Sequence, residues 1–435
     1  ISLSLENWVT FLSINEDEAV ILNENIPPKF KNIKKIQNTL LHCFFQSDIA
    51  SKSFEELIFD KETDFSRYSF FYANYLQKTG KRDKAIDIIN QSLELNPRNL
   101  ILNQLKEDLN YTKNLNFNNE FDCKNISHIS AEIFYIVANA LSSQSAYTQS
   151  NFYLNLAKYL NSNFISFEAL YAENFYMINK LEISKEIYKT IININSGSIY
   201  SWHASKRIAN ILEEQDKQNE SIKFLRDSYE KISSTSVSKI YDYAKFLNNN
   251  DKFYESIKYY TKVLNLIDEK HYLYPKATDG RGRAYERTDQ WGKAEKDFLN
   301  SLRVSPEQAY VINYLAYSWI EKGINIEKSL KMLKTANNLE QNDGYIVDSL
   351  GWALFKLKRY KEAEKYLRLA MILMPSDPIV NDHYGDVLWM RDEKIQARYY
   401  WNYVSNSKEA DEKLKKSTKE KAIFGLKSKT NIKKS

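Results

Sequence analysis

The stretch VNDHYGDVLW, residues 380–389, sets two carboxylates and an imidazole within five residues: Asp382, His383 and Asp386. These are the side chains of hydrolytic dyads and of metal sites. On a helix, Asp382 and Asp386 share a face, whereas His383 lies about 100° away, so the three converge only with help from another element. The remaining histidines, His42, His128, His203 and His271, stand at no HxxxH or HExxH spacing. There is no GxSxG, no Cys/His pair at a catalytic spacing and no phosphate-cradling glycine loop. The text GRGR (280–283) opens a helix instead. Because no nucleophile, base and orienting group can be named together, the chain reads as a non-enzyme with no metal and no cofactor.

The elements that must position these residues are repeats. Paired small residues recur twelve apart: Ala73/Ala85, Ala138/Ser150, Ala172/Ser184, Ala209/Ser221, Ala244/Ser256, Gly282/Ala294, Gly351/Ala363 and Gly385/Ala397. One pair, Ala316/Ser329, is spaced by thirteen. Small side chains at such slots let two antiparallel helices cross closely. Pro97, Pro306 and Pro375 mark the ends of second helices, and Asp377-Pro378 places a capping residue before a first-turn proline. The pattern resembles the tetratricopeptide repeat. It predicts an all-α superhelical solenoid of about ten or eleven helix pairs, stacked on nearest neighbours and extended rather than globular.

Residues 1–64 read as degenerate helical repeats, 65–97 as one unit, and 98–129 as a helix followed by an Asn-rich loop. Degenerate units follow over 130–235, a well-formed array over 236–410, and a Lys-rich tail over 411–435. The stretches 281–333, 343–367 and 377–401, continued by KL at 413–414 and GL at 425–426, resemble exported tetratricopeptide repeat proteins of alphaproteobacteria. More distantly they are similar to envelope lipoproteins that act as adaptors for carboxyl-terminal processing proteases. The resemblance implies a periplasmic or envelope-associated protein whose targeting segment lies upstream of Ile1.

Superposed, the units place Asp279, Asn313, Asp348 and Asp382 at one register of successive first helices. One turn on come Arg283, Tyr317, Trp352 and Asp386; a further turn brings Glu286, Ile320, Phe355 and Trp389. In this repeat class the first helices line the concave surface. A peptide-binding groove is therefore expected from Asp279, Arg283, Asn313, Tyr317, Tyr345, Asp348, Trp352, Phe355, Asp382, Asp386 and Trp389, the polar rungs holding a partner's main chain and the rings supplying stiff apolar contact. The competing reading is that these aspartates serve the helix N-termini. His383 is expected to pack on the neighbouring unit.

Composition narrows the remaining choices. Ten Gly and seven Pro in 435 residues suit helices with short connections. The net charge of +5 is concentrated at one end: nine Lys and one Glu from Lys413 to Ser435 leave the rest of the chain at −3. That tail reads as a solvated, frayed end. The alternative, binding of nucleic acid or an anionic membrane through the tail with Arg281, Arg283 and Arg287, lacks a basic face on the body, so the expected partner is a protein or peptide. No apolar run is long enough to cross a bilayer; peripheral membrane association through the tail or an upstream segment is left open. Cys43 and Cys123 read as ordinary small residues, not a disulfide framework.

Overall fold

The computed structural model describes residues 2–111, 119–194, 197–231 and 236–426. All of the named elements are helical, apart from one isolated bridge between Asn119 and Phe164. The chain divides into two compact units, Ile1–Thr235 and Ser236–Ser435.

The first unit runs α1 (Ser2–Phe11), α2 (Glu16–Asn23), α3 (Lys31–Phe44), α4 (Ala50–Ile58), α5 (Tyr68–Lys78), α6 (Arg82–Leu95), α7 (Leu100–Tyr111), α8 (Ile126–Ser143), α9 (Tyr147–Leu160), α10 (Ile165–Met177), α11 (Leu181–Ile194), α12 (Ile199–Glu214) and α13 (Gln218–Glu230). The second runs α14 (Val237–Asn249), α15 (Phe253–Leu266), α16 (Tyr274–Arg287), α17 (Trp291–Val304), α18 (Ala309–Glu321), α19 (Ile326–Leu339), α20 (Gly344–Lys356), α21 (Tyr360–Leu373), α22 (Pro378–Met390), α23 (Lys394–Asn406) and α24 (Glu412–Phe424). These make eleven antiparallel pairs among the described residues, with α7 and α24 single.

The small-residue slots do what their size allows. Every slot residue is buried at the crossing of its pair. A Cβ on Gly385 would come within 2.6 Å of the Trp401 indole, so α22 can approach α23 only with glycine there. Where serine replaces alanine in three pairs of the first unit, its hydroxyl bonds across the pair. Ser150, Ser184 and Ser221 donate to the carbonyls of Ala138, Ala172 and Ala209, their slot partners, at 2.7–2.9 Å. In these three pairs serine adds a bond between the two helices, whereas Ser256 donates to the Phe253 carbonyl of its own helix at 3.0 Å and the buried Ser329 hydroxyl has no partner.

Turns inside the pairs follow an equally regular rule. Seven residues after each first slot, the chain takes a positive φ: Gly80, Ser145, Asn179, Asp216, Asp251, Asp289, Gly323, Lys358 and Asp392. Asn, Asp and Gly tolerate that left-handed conformation best, which accounts for their concentration at these turns. The thirteen-residue pair carries a second such residue, Asn325, which absorbs the insertion.

Two expectations need correction in the first unit. It is not a stack held by nearest neighbours alone: α1 packs on α8, α7 packs on α12, and the Ile199 N–H donates to Gln104 Oε1 at 2.8 Å. In addition, Cys43 and Cys123 form a disulfide across 80 residues. The segment after α7 returns over α5, where the Phe121 carbonyl accepts from Asn74 Nδ2 and Lys78 Nζ at 3.0 and 2.9 Å and the Phe121 ring meets Phe71 edge-on. That return brings Cys123 to α3. The Asn-rich loop expected between α7 and this segment lies, at 112–118, outside the described residues. A buried ion pair also spans the interruption. Arg67 Nε and Nη2 donate to the two Glu132 oxygens at 2.8 Å, with the guanidinium 3.7 Å over the Tyr135 ring.

Candidate functional site

In the second unit, first helices of neighbouring pairs touch one another, α14 with α16, α18 with α20 and α20 with α22. The ladder residues lie along this inner line, but they are not equivalent. N-capping falls to other residues: Asp343 accepts from Tyr345 N and Ile346 N, and Asp377 from Ile379 N and Val380 N, all within 2.9–3.1 Å. Asp348 and Asp382 sit a turn further in and are buried, so helix capping does not explain them.

Their partners belong to the chain itself. His383 Nδ1 lies 2.8 Å from Asp348 Oδ2 across the α20–α22 seam. The imidazole stacks on Trp352 at 3.8 Å, and Phe355 stacks on the same indole at 4.8 Å. The Trp352 N–H donates to Glu321 Oε1 at 2.7 Å. Asp348, Trp352 and His383 therefore fasten one repeat to the next, and the groove role expected of Asp348 and Trp352 is withdrawn. Although Asp348 and His383 have the geometry of an orienting pair, the histidine is only 6% exposed and its ring is covered by Trp352. The dyad is covered by side chains of its own chain.

Burial disfavours a charged His383, but Asp348, with Asp382 and Asp386 behind it, outweighs burial and raises its pKa. A raised folded-state pKa gives stability that is fully present below the unfolded imidazole value of about 6.5 and is lost as pH rises through the folded value. Thermal denaturation of the second unit should therefore show a decline on the alkaline side of that value, and His383→Gln should abolish it. Parallel profiles for the two proteins would refute the assignment.

The last rung is filled by the tail. The segment expected to fray forms α24, and Lys421 Nζ sits 2.7–2.9 Å from both oxygens of Asp382 and both of Asp386. Asp386 also accepts from the Trp401 indole at 3.0 Å. Burial and the adjacent Asp382 push the Asp386 carboxyl up to about 6, with Lys421 opposing. Arg398 Nε donates to the Ala422 carbonyl at 2.9 Å, and Gly425, at φ +73°, lies against Trp389 where a Cβ would collide with the ring. Asp382, Asp386 and Trp389 are thus covered by residues 421–426 and do not line an open groove. Residues 427–435 of the Lys-rich tail lie outside the described residues.

The open face is upstream. Asp279 and Arg283 pair with each other at 3.0 Å and are half-buried. Burial raises the Asp279 pKa despite Arg283. Asn313, Tyr317 and Phe355 are half-buried, while Tyr345 is 60% exposed. Burial, followed by the Glu321 and Asp348 carboxylates, holds the Tyr317 phenol above its usual range.

Sequence reasoning missed the row that contains Tyr345. Three residues before the ladder, Tyr310, Tyr345 and Ile379 fall in register on α18, α20 and α22, exposed by 54%, 60% and 49%. Their signal was the same repeat spacing, one turn nearer the helix starts. Of the basic residues, Arg281 is held by Asp297 at 2.7 and 2.9 Å, Arg283 by Asp279 and Lys421 by the carboxylate pair, while Arg287 is exposed. Among the described residues no group of three or more His, Cys, Asp or Glu could hold a metal ion, and no helix is long and apolar enough to cross a membrane.

Comparison with known proteins agrees with the helix-pair geometry. A family model described as tetratricopeptide repeat matches residues 203–404, and a second of the same description matches 66–99. A TPR repeat-containing protein of Pseudomonas aeruginosa is 27% identical over 150 residues, 33% of this chain. The match spans 23% of that relative's length. Among solved structures, a tetratricopeptide repeat protein of Parabacteroides merdae matches at a TM-score of 0.47 with 13% identity, covering 58% of this chain and 96% of the other. YrrB, described as a TPR protein with an unusual peptide-binding site, matches at 0.34 with 17% identity over 42% of this chain and 92% of its own.

Proposed function

From the premise that this chain is a tetratricopeptide repeat protein, built as an all-α solenoid and a protein interaction scaffold, we propose that it is non-catalytic and binds an extended segment of a partner along α16, α18, α20 and the exposed start of α22. The observation that carries this reading is the in-register row of Tyr310, Tyr345 and Ile379, exposed beside half-buried Asn313, Tyr317 and Phe355. Isolated exposed apolar residues need no explanation, whereas large ones repeated on successive helices mark a contact surface. Tyrosine suits such a surface because it offers wide, stiff contact with a polar end.

We place the scaffold in an oxidising compartment of the bacterial envelope. The Cys43–Cys123 disulfide supports this, since such bonds persist where thiols are not kept reduced. The test is affinity capture from an envelope extract with the intact chain and with Tyr310→Ala/Tyr345→Ala, read by mass spectrometry. A protein retained by the first and lost with the second is the expected result. Identical captures would remove the site from this face. Because both side chains are largely in solvent, the double variant should melt within a few degrees of the unaltered protein, on the order of 0.5 kcal/mol per site.

A further inference from the structure

The docking of α24 is unlike that of an ordinary final helix. Its large apolar residues Ile423 and Phe424 face solvent, and it brings little more than Leu414, Thr418 and Ala422 to the surface it covers. Polar contacts hold it from within, Lys421 between two carboxylates and the Arg398 bond to Ala422, while Ala422, the Gly425 backbone against Trp389 and Leu426 just beyond the helix add apolar contact. Of the five lysines in α24, only Lys421 enters the unit, and Lys413, Lys416 and Lys419 are exposed.

We infer that Asp382 and Asp386 form a subsite for a lysine side chain of a partner polypeptide, and that α24 occupies this subsite in cis until such a segment exchanges with it. This rests on the interaction-scaffold reading and names what one end of the binding face recognises. Four carboxylate oxygens converge within 2.7–2.9 Å of one nitrogen. That arrangement suits the compact ammonium of lysine; the planar fork of arginine would spread its donors past it. The surrounding network is short of donors. Asp348, linked through His383, is buried and its Oδ1 has no hydrogen-bond partner. Vacating the subsite would leave two buried carboxylates without a cation, a strongly unfavourable state. The helix therefore leaves when a second ammonium replaces the first, and solvent alone does not release it. A partner segment arriving along α16 to α20 would reach this position next, because α22 follows α20 in the stack.

The probe is a labelled peptide of the chain's own residues 412–426, added to the full-length protein and to full-length Lys421→Met and followed by fluorescence anisotropy. Expected are binding to Lys421→Met tighter than to the unaltered chain by about tenfold or more, and a similar loss when the peptide itself carries Lys421→Arg or Lys421→Met. Equal affinity for the two proteins, or equal affinity of the lysine and arginine peptides, would overturn the subsite. Should Lys421→Met fail to fold, hydrogen exchange on the unaltered protein with and without the peptide decides. An exchangeable α24 loses protection when the lysine peptide is added, while α22 and α23 keep theirs; a helix whose protection the peptide leaves unchanged is a fixed cap, and the inference falls. The scaffold reading is tested separately. Peptide binding that survives Tyr310→Ala/Tyr345→Ala, together with identical captures by both proteins, would remove that reading and confine the lysine site to α24 itself. Specific capture without peptide binding would remove the subsite alone.

Discussion

Glutamine in place of Glu132 should destabilise the first unit by about 3–5 kcal/mol, the usual penalty for leaving one member of a buried ion pair without its partner. Glu132 is 1% exposed, and each of its oxygens accepts from Arg67 at 2.8 Å. Tyr68 donates a longer bond, at 3.4 Å, to the same carboxylate. The guanidinium lies over Tyr135 and near Phe71 and Phe164, so water does not replace a lost carboxylate. The amide would keep the shape and lose the charge. Arg67→Met/Glu132→Leu, which removes both charges, should recover most of the loss. Urea denaturation of the unaltered protein, Arg67→Met, Glu132→Leu and the double variant gives the coupling directly. A loss below about 1 kcal/mol for Glu132→Gln would mean that the pair behaves as a solvated one.

The same pair shows why the first unit was harder to read than the second. The slots of α14 to α23 repeat at short range, so sequence spacing alone fixes which residues meet, and the paired helices follow. Arg67 and Glu132 are 65 residues apart, joined across the interruption that holds α7. No periodicity points from one to the other. The Cys43–Cys123 bond was illegible for the same reason: two cysteines without a spacing pattern carry no sign of pairing until Phe121 and its neighbours are seen returning over α5.

The ladder was legible in register but not in occupancy. Repeat spacing correctly aligned Asp348 with Asp382 and Trp352 with Asp386, and it set His383 against the neighbouring unit. Spacing does not say whether an aligned side chain points to solvent or to its own chain. Asp382 and Asp386 are satisfied by a lysine from a segment whose charge alone suggested a solvated tail. Tyr310 and Ile379 were passed over because rows were read at the ladder and over the two turns that follow it, and not one turn before it. An expectation drawn from that earlier turn would have included them.

Reducing the Cys43–Cys123 disulfide should weaken the first unit by about 2–5 kcal/mol and leave the second unchanged. The bond closes a loop of 80 residues, for which loop-closure entropy in the unfolded chain predicts about 4–5 kcal/mol. Structure retained in the unfolded chain would lower that figure. The loss should be confined because the bond ties α3 to the segment before α8, both inside residues 1–235. In urea, Cys43→Ser/Cys123→Ser should unfold its first unit at lower denaturant while the transition reported by the second unit stays in place. The unaltered protein under reductant should match the double variant, since the two share the same missing constraint. Mass spectrometry of protein prepared without reductant should give a chain lighter by two hydrogens than the reduced form. Two freely titrating thiols in that preparation would refute the bond, and with it the argument for an oxidising compartment. The row of Tyr310 and Tyr345, which lies in the other unit, would be untouched.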